Sequence, residues 1–309
     1  MEFHKGRFWE VFLFSIYIND MHKSSPLNFL HYADDTTIYY SDVHLPPLME
    51  KLESECERVF DWICANQLSL NLLKTFYVIF TNKQINYTPS LCINNVNIAS
   101  KNEFKFLGVH FNDKLSFKNH INHVSKKVGR SIGMIRKMSY FTPIHILKNL
   151  YYSIIYSYII YGIEVWGCSN KTQLNRLKNL LNKAVKLLGY SGSADIEDFK
   201  NLQIMQFHQI YEHFVLCRLF NYLCLGNNQY FYERFTQYNS NHAFNTRFNL
   251  SNNFNVPSIH SSKLFYNFHY NAIKFWNGIP SHKINFQNIS EVKKYLREKF
   301  FPLNSTIPI

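Results

Sequence analysis

Acidic residues are the scarce charged type in this chain: 21 Asp and Glu stand against 33 Lys and Arg among 309 residues. The formal charge of +12 favours a polyanionic partner, nucleic acid or an anionic membrane surface, without choosing between them. Closely spaced cysteine pairs are also missing. The six cysteines, at 56, 64, 92, 168, 217 and 224, show no zinc-site spacing and read as reduced thiols in an intracellular protein. A long uninterrupted apolar run is absent too. The best candidate, 150–165, is broken by Ser153, Ser157 and five tyrosines and reaches Glu164, so it reads as a buried helix rather than a membrane span. No apolar leader with a small-residue cleavage site follows Met1, so a secretory signal is not expected. Internal repeats and glycine-rich phosphate loops are lacking as well. What remains is a hydrophobic content of 46%, enough for one large or two ordinary domains with real cores.

The most informative stretch is 27–41. Asn28-Phe29-Leu30-His31-Tyr32 leads in, Ala33-Asp34-Asp35 forms a tip and Thr36-Thr37-Ile38-Tyr39-Tyr40 leads out, a β-hairpin by its β-branched and aromatic content. Two adjacent carboxylates at such a tip suit a hard divalent cation, although Asp-Asp is also simply a good turn former. An amphipathic helix is expected over 46–65, then a strand over 76–80 with Lys74 at the turn before it. A second hairpin is expected at 91–98 around Asn94-Asn95, and a strand pair at 104–111 with Gly108 supplying turn freedom.

After Asp113 the pattern becomes helical with basic faces. Lys118, Lys126, Lys127, Arg130, Arg136 and Lys137 flank an apolar stripe of Ile121, Val124, Val128, Ile132 and Ile135. A helix from Pro143 to Tyr161 follows, and another over 174–188 carries Arg176, Lys178, Lys183 and Lys186 off its leucine face. Charges on helices are ordinarily solvated faces, but the excess of positive charge favours a surface that follows phosphates. One helix is expected over 195–225, ended by Gly226-Asn227-Asn228, then an Asn-rich loop over 238–257 and a short charged helix over 291–300. The aromatics Phe265, Tyr266, Phe268, Tyr270, Phe275 and Trp276 fit a core better than a base-stacking surface.

Several of these phrases, in order, resemble the non-LTR (LINE-like, jockey-like) retrotransposon reverse transcriptases. Tyr32-Ala33-Asp34-Asp35 is similar to the family's metal-binding box, and the segment from Leu13 to Asp20 to the helix and loop before it. Trp62, Asn66-Gln67-Leu68-Ser69-Leu70-Asn71, Lys74-Thr75 and Phe80 resemble the next motif. Phe104-Lys105-Phe106-Leu107-Gly108-Val109 resembles the primer-grip turn. Tyr161-Gly162, Val165-Trp166 and Trp276-Asn277-Gly278-Ile279-Pro280 resemble thumb and tail phrases. The 5–11 segment keeps Gly6 but otherwise departs from the family's template loop.

The resemblance implies an α+β fold: a partial right-hand polymerase palm, with an antiparallel sheet and helices, then a mostly helical thumb and a tail. The implied domains are 1–112, 113–228 and 229–309. It implies RNA-templated DNA synthesis, with Asp34 and Asp35 as ligands of Mg²⁺ or Mn²⁺ and Lys74 as the acid for departing pyrophosphate. Phe106, Leu107 and Gly108 would form the primer grip. Partners would be an RNA template, a DNA primer and deoxynucleoside triphosphates, with no membrane. Because the family's first metal-binding aspartate lies on an upstream strand, the chain is expected to be a C-terminal fragment that binds metal weakly and is inactive alone. The alternative is a non-catalytic nucleic-acid-binding remnant of a decayed element.

Overall fold

The computed structural model describes residues 3–84, 89–189, 196–225, 235, 254, 256, 267–280 and 286–302. It divides into two compact units: 1–104 with 112–115, and 105–111 with 116–309.

The first unit opens with α1 (Phe3–Tyr17) and a short 3₁₀ turn, and then forms the hairpin β1 (Asn28–Tyr32) and β2 (Asp35–Tyr39). Its antiparallel register pairs Phe29 with Ile38 and Tyr32 with Asp35. Phe29 and Ile38 both pack on the apolar core, so period-two alternation turns Leu30 and Tyr32 outward. α2 (Leu45–Ala65) starts with prolines in its first turn, where the missing N–H costs nothing. Its buried face is Met49, Cys56, Val59 and Ile63, at helical spacing. Two of its acids serve the next hairpin: Glu53 accepts the Cys92 N–H at 3.1 Å and Glu57 the Asn94 N–H at 2.6 Å.

That hairpin, β4 (Cys92–Ile93) and β5 (Val96–Asn97), turns through Asn94 and Asn95 at φ 50° and 58°. Asparagine tolerates this region better than most residues, and a two-residue turn needs it. The strand expected over 76–80 is shorter, β3 (Phe76–Tyr77). It pairs in parallel with β6 (Ala99–Ser100) over two residues, and no partner strand extends it. Among the described residues the strands form four separate two-stranded sheets, of which the β3–β6 pair is parallel.

β7 (Glu103–Phe106) and β8 (Val109–Asn112) form the last of these. The tip of this hairpin, 105–111, belongs to the second unit. There α3 (Lys118–Met138) packs on α7 (Lys171–Leu188), with α4 (Ile144–Leu150), a π-helical segment Tyr151–Tyr156, α5 (Ser157–Ile160) and α6 (Ile163–Trp166) between them in sequence. The helix expected from 143 to 161 therefore runs through one π segment in its middle.

The single helix expected over 195–225 is instead two, α8 (Ile196–Asn201) and α9 (Phe207–Leu225). Gln203 sits at φ 53° between them, and a left-handed residue ends an α-helix. α10 (Phe268–Asn277) and α11 (Ile289–Phe300) both pack on α9, and one core runs from Val109 to Phe300. Of the aromatics singled out near the C-terminus, Tyr270 and Trp276 are buried, as a core role requires. Asn277 explains its own phrase: its side chain accepts from the Phe254 N–H at 3.0 Å and donates to the Phe254 carbonyl at 2.7 Å. Phe265, Tyr266, the 226–228 break and the 238–257 loop apart from 254 and 256 lie outside the described residues. Among the described residues no helix is long and apolar enough to cross a membrane.

Candidate functional site

The Asp-Asp hairpin is tighter than its sequence suggested. Asp35 is not part of the tip but the first residue of β2, paired with Tyr32, so Ala33 and Asp34 alone make the turn. Ala33 takes φ 51° to do so, an uncommon conformation for a residue with a Cβ. Asp34 thus sits in the turn and Asp35 on the strand, and both are exposed. Successive strand residues face opposite sides, but a turn residue is freed from that alternation. Among the described residues no group of three His, Cys, Asp or Glu is placed to hold a metal ion. Two exposed carboxylates nevertheless supply oxygen ligands of the right chemistry for Mg²⁺ or Mn²⁺, which take one or two carboxylates and complete their shell with phosphate and water.

Lys74 lies in the same unit, exposed, on the turn that leads to β3. Its backbone N–H donates to the Asn71 side chain and carbonyl, each at 3.1 Å, which fixes the turn while leaving the ammonium in solvent.

The second unit brings together two phrases that are 54 residues apart. Leu107 and Gly108 close the β7–β8 turn at φ 43° and 83°. The Tyr161 hydroxyl donates to the Leu107 carbonyl at 2.6 Å. Gly162, itself at φ 61°, faces Val109, and Trp166 donates its indole N–H to the Tyr161 carbonyl at 2.9 Å. The primer-grip-like turn, Phe106, Leu107 and Gly108, is therefore clamped by the Tyr161-Gly162 corner, and the Phe106 ring meets Phe111 edge-on at 6.3 Å.

Beside this corner lies a histidine group that sequence reading missed. His120 is buried, accepts the His110 N–H through Nδ1 at 3.3 Å, and meets the Trp166 ring edge-on at 5.2 Å. His110 and His123 rings lie 4.9 Å apart. Burial first, then the neighbouring His110, His123 and Lys127, push the His120 imidazole down to about 4, so it is neutral near pH 7. The sequence signal was a pair of histidines at i and i+3 beside the apolar stripe of α3.

The cationic residues lie where the periodicity placed them. Lys118, Lys126, Arg130, Arg136, Lys137, Arg176, Lys183 and Lys186 are exposed, while Lys127 and Lys178 are half-buried. Lys126, Arg130 and Lys137 fall on one line of α3 opposite its buried stripe, and Arg176 and Lys183 do the same on α7. Lys127 instead lies over the Tyr158 ring, 4.9 Å from its centre. Residues 114–194 hold thirteen Lys and Arg against one acid, Glu164, a net charge equal to the +12 of the whole chain.

Comparison with known proteins now gives this arrangement a context. The chain is 25% identical over 204 residues to the RNA-directed DNA polymerase from mobile element jockey of Drosophila melanogaster, covering 60% of this chain and 22% of that protein. The jockey polymerase of Drosophila funebris matches over the same shares at 25% identity. The probable RNA-directed DNA polymerase from transposon BS of Drosophila melanogaster is 23% identical over 189 residues, 57% of this chain and 21% of that protein. No family model and no solved structure matches the chain. The class these relatives define is the polymerase of a mobile element. By sequence the chain is similar, at 23–25% identity, to RNA-directed DNA polymerases of non-LTR retrotransposons. It spans about a fifth of the length of the curated relatives it matches.

Proposed function

We propose that the chain carries part of the nucleotidyl-transfer site and the nucleic-acid-holding surface of an RNA-directed DNA polymerase, a right-hand palm remnant followed by a helical thumb. The observation that carries this reading is the adjacent pair Asp34 and Asp35 at a two-residue antiparallel turn, in a chain whose relatives are named RNA-directed DNA polymerases. The reaction is addition of deoxynucleotides to a DNA 3′ end on an RNA template.

In this reading Asp34 and Asp35 hold a divalent cation, Mg²⁺ or Mn²⁺. Such an ion, when bound, neutralises charge on the phosphate oxygens of an incoming nucleotide. Lys74, an ammonium on a fixed turn, can hand a proton to the departing pyrophosphate oxygen. Phe106, Leu107 and Gly108 seat the primer end on a turn whose backbone geometry Tyr161 holds. Lys118, Lys126, Lys127, Arg130, Arg136 and Lys137 on α3, with Arg176, Lys178, Lys183 and Lys186 on α7, follow the phosphates of the template–primer duplex.

A second reading, a nucleic-acid-binding protein without catalysis, is favoured by one observation: no third acid joins Asp34 and Asp35 among the described residues. Mn²⁺ titration followed by water-proton relaxation separates the two. The first reading expects weak Mn²⁺ binding by the chain alone, strengthened by a deoxynucleoside triphosphate and lost in Asp34→Asn. Nucleotide-independent behaviour identical in wild type and Asp34→Asn would favour the second.

A further inference from the structure

The turn joining α3 to α4 holds two adjacent aromatic rings in solvent. Tyr140 is 78% exposed and Phe141 90%, with ring centroids 6.4 Å apart and planes inclined at 59°. The turn beneath them is hydrogen-bonded. Ser139 N–H donates to the Ile135 carbonyl at 2.8 Å, Phe141 N–H to the Met138 carbonyl at 3.0 Å, and the Ser139 hydroxyl to the Arg136 carbonyl at 2.8 Å. Pro143 then caps α4. Rings on such a turn are presented in a limited set of directions, which reduces the ordering cost of a flat partner.

The flanking sequence carries one sign of charge. Arg136 and Lys137 are exposed within five residues of the rings, and Arg130 and Lys126 continue the line along α3. No Asp or Glu occurs between Asp113 and Glu164. The partner must therefore combine anionic groups with flat apolar faces. A duplex shows phosphates along its flank but hides its base faces in the stack, so its flank would use the cations and leave the rings idle. Unpaired bases offer both features.

We propose that Tyr140 and Phe141 form a stacking platform for unpaired bases of a single-stranded nucleic acid, whose backbone is held by Arg136, Lys137 and Arg130. This rests on the reading of the helical unit as a nucleic-acid-holding surface, and goes beyond it by assigning the tip to single strand rather than duplex. The site lies far in sequence from Asp34, Asp35 and Lys74, and its binding does not need them.

The test measures binding of fluorescently labelled oligo(U), oligo(dT) and a blunt RNA·DNA duplex to the full chain by anisotropy. Three variants are compared: Tyr140→Ala/Phe141→Ala, Tyr140→Leu/Phe141→Leu, and Lys126→Gln/Arg130→Gln/Lys137→Gln. Both rings are exposed, so the fold is kept, which circular dichroism checks. The Ala pair is expected to weaken single-strand binding about tenfold or more, the size of one lost base–aromatic stack, and to change duplex binding less than about twofold. The Leu pair should behave like the Ala pair, because leucine keeps apolar area but has no ring face. The triple Gln variant should weaken all probes.

Single-strand binding unchanged in the Ala pair, or restored by leucine, overturns the platform while leaving duplex binding and the underlying reading intact. Failure of wild type to bind any of the three probes overturns both. Binding to phosphatidylserine vesicles that the Ala pair abolishes, with oligonucleotide binding unaffected, would reassign the tip to a membrane surface.

Discussion

The Tyr161 hydroxyl donates to the Leu107 carbonyl at 2.6 Å, and the same ring lies where a side chain on Gly108 would have to go. A Cβ at Gly108 would meet Tyr161 Cε1 at 2.9 Å, on a backbone already at φ 83°. The turn and the helix corner thus fix each other through one hydrogen bond and one steric exclusion. Neither contact is visible in the local sequence of either segment.

This coupling gives a stability prediction with internal structure. Tyr161→Phe removes a hydrogen bond whose acceptor can still meet water, so it should cost about 0.5–1.5 kcal/mol in urea denaturation. Gly108→Ala should cost more, roughly 1–3 kcal/mol, from left-handed strain together with the clash. In Gly108→Ala/Tyr161→Ala the clash is gone and only the strain remains. The double variant should therefore lose less than the sum of the two single Ala changes. Strict additivity would mean that the ring and the turn are not in contact in solution.

The charged helices give a prediction read in salt. Affinity for an RNA·DNA duplex should fall linearly on a log–log plot as salt rises, each neutralised phosphate contributing roughly −0.7 to −0.9 to the slope. Replacing Lys126, Arg130 and Lys137, the three on the outer line of α3, by Gln should flatten the slope by about two to three. Replacing Lys127, whose ammonium is engaged by Tyr158, should flatten it by less. An unchanged slope in the triple variant would place the phosphate contacts elsewhere.

His120 should make the protein acid-sensitive. Its folded value, pushed down to about 4 chiefly by burial, lies below the ordinary 6.5 it regains on unfolding. Between those values the unfolded chain binds the extra proton, so stability is full above about pH 6.5 and declines as pH falls toward 4. One group contributes a slope of at most about 1.4 kcal/mol per pH unit. Nδ1 already accepts the His110 N–H, so protonation must break that bond while adding charge beside His110, His123 and Lys127. His120→Asn keeps an acceptor without the titration. It should be less stable at pH 7 yet show a flatter decline between pH 6 and 5 in thermal melts; an unaltered decline would assign the sensitivity to other groups.

Much of the local structure was legible in the amino-acid sequence, because it follows from rules that act over a few residues. The β-rich arms around Asp34 and Asp35, the Asn94-Asn95 turn, the spans of α2, α3 and α7 and the outward position of their charges follow from periodicity and turn chemistry. So did the buried state of Trp276 near the C-terminus. The likeness to mobile-element polymerases also was legible from short phrases taken in order, and relatives bearing the jockey and BS names are 25% and 23% identical over part of the chain.

Other features were decided only by tertiary structure. That Asp35 joins the strand, that β3 ends after Tyr77 and that the helix expected over 195–225 breaks near Gln203 depend on which partner each backbone group meets. Hydrophobic spacing does not report that partner. The clamp of Tyr161 on Leu107 and the burial of His120 against Trp166 join segments more than forty residues apart. A sequence read locally carries no term for such contacts: they exist because one shared core from Val109 to Phe300 brings chemically unrelated stretches within hydrogen-bonding range.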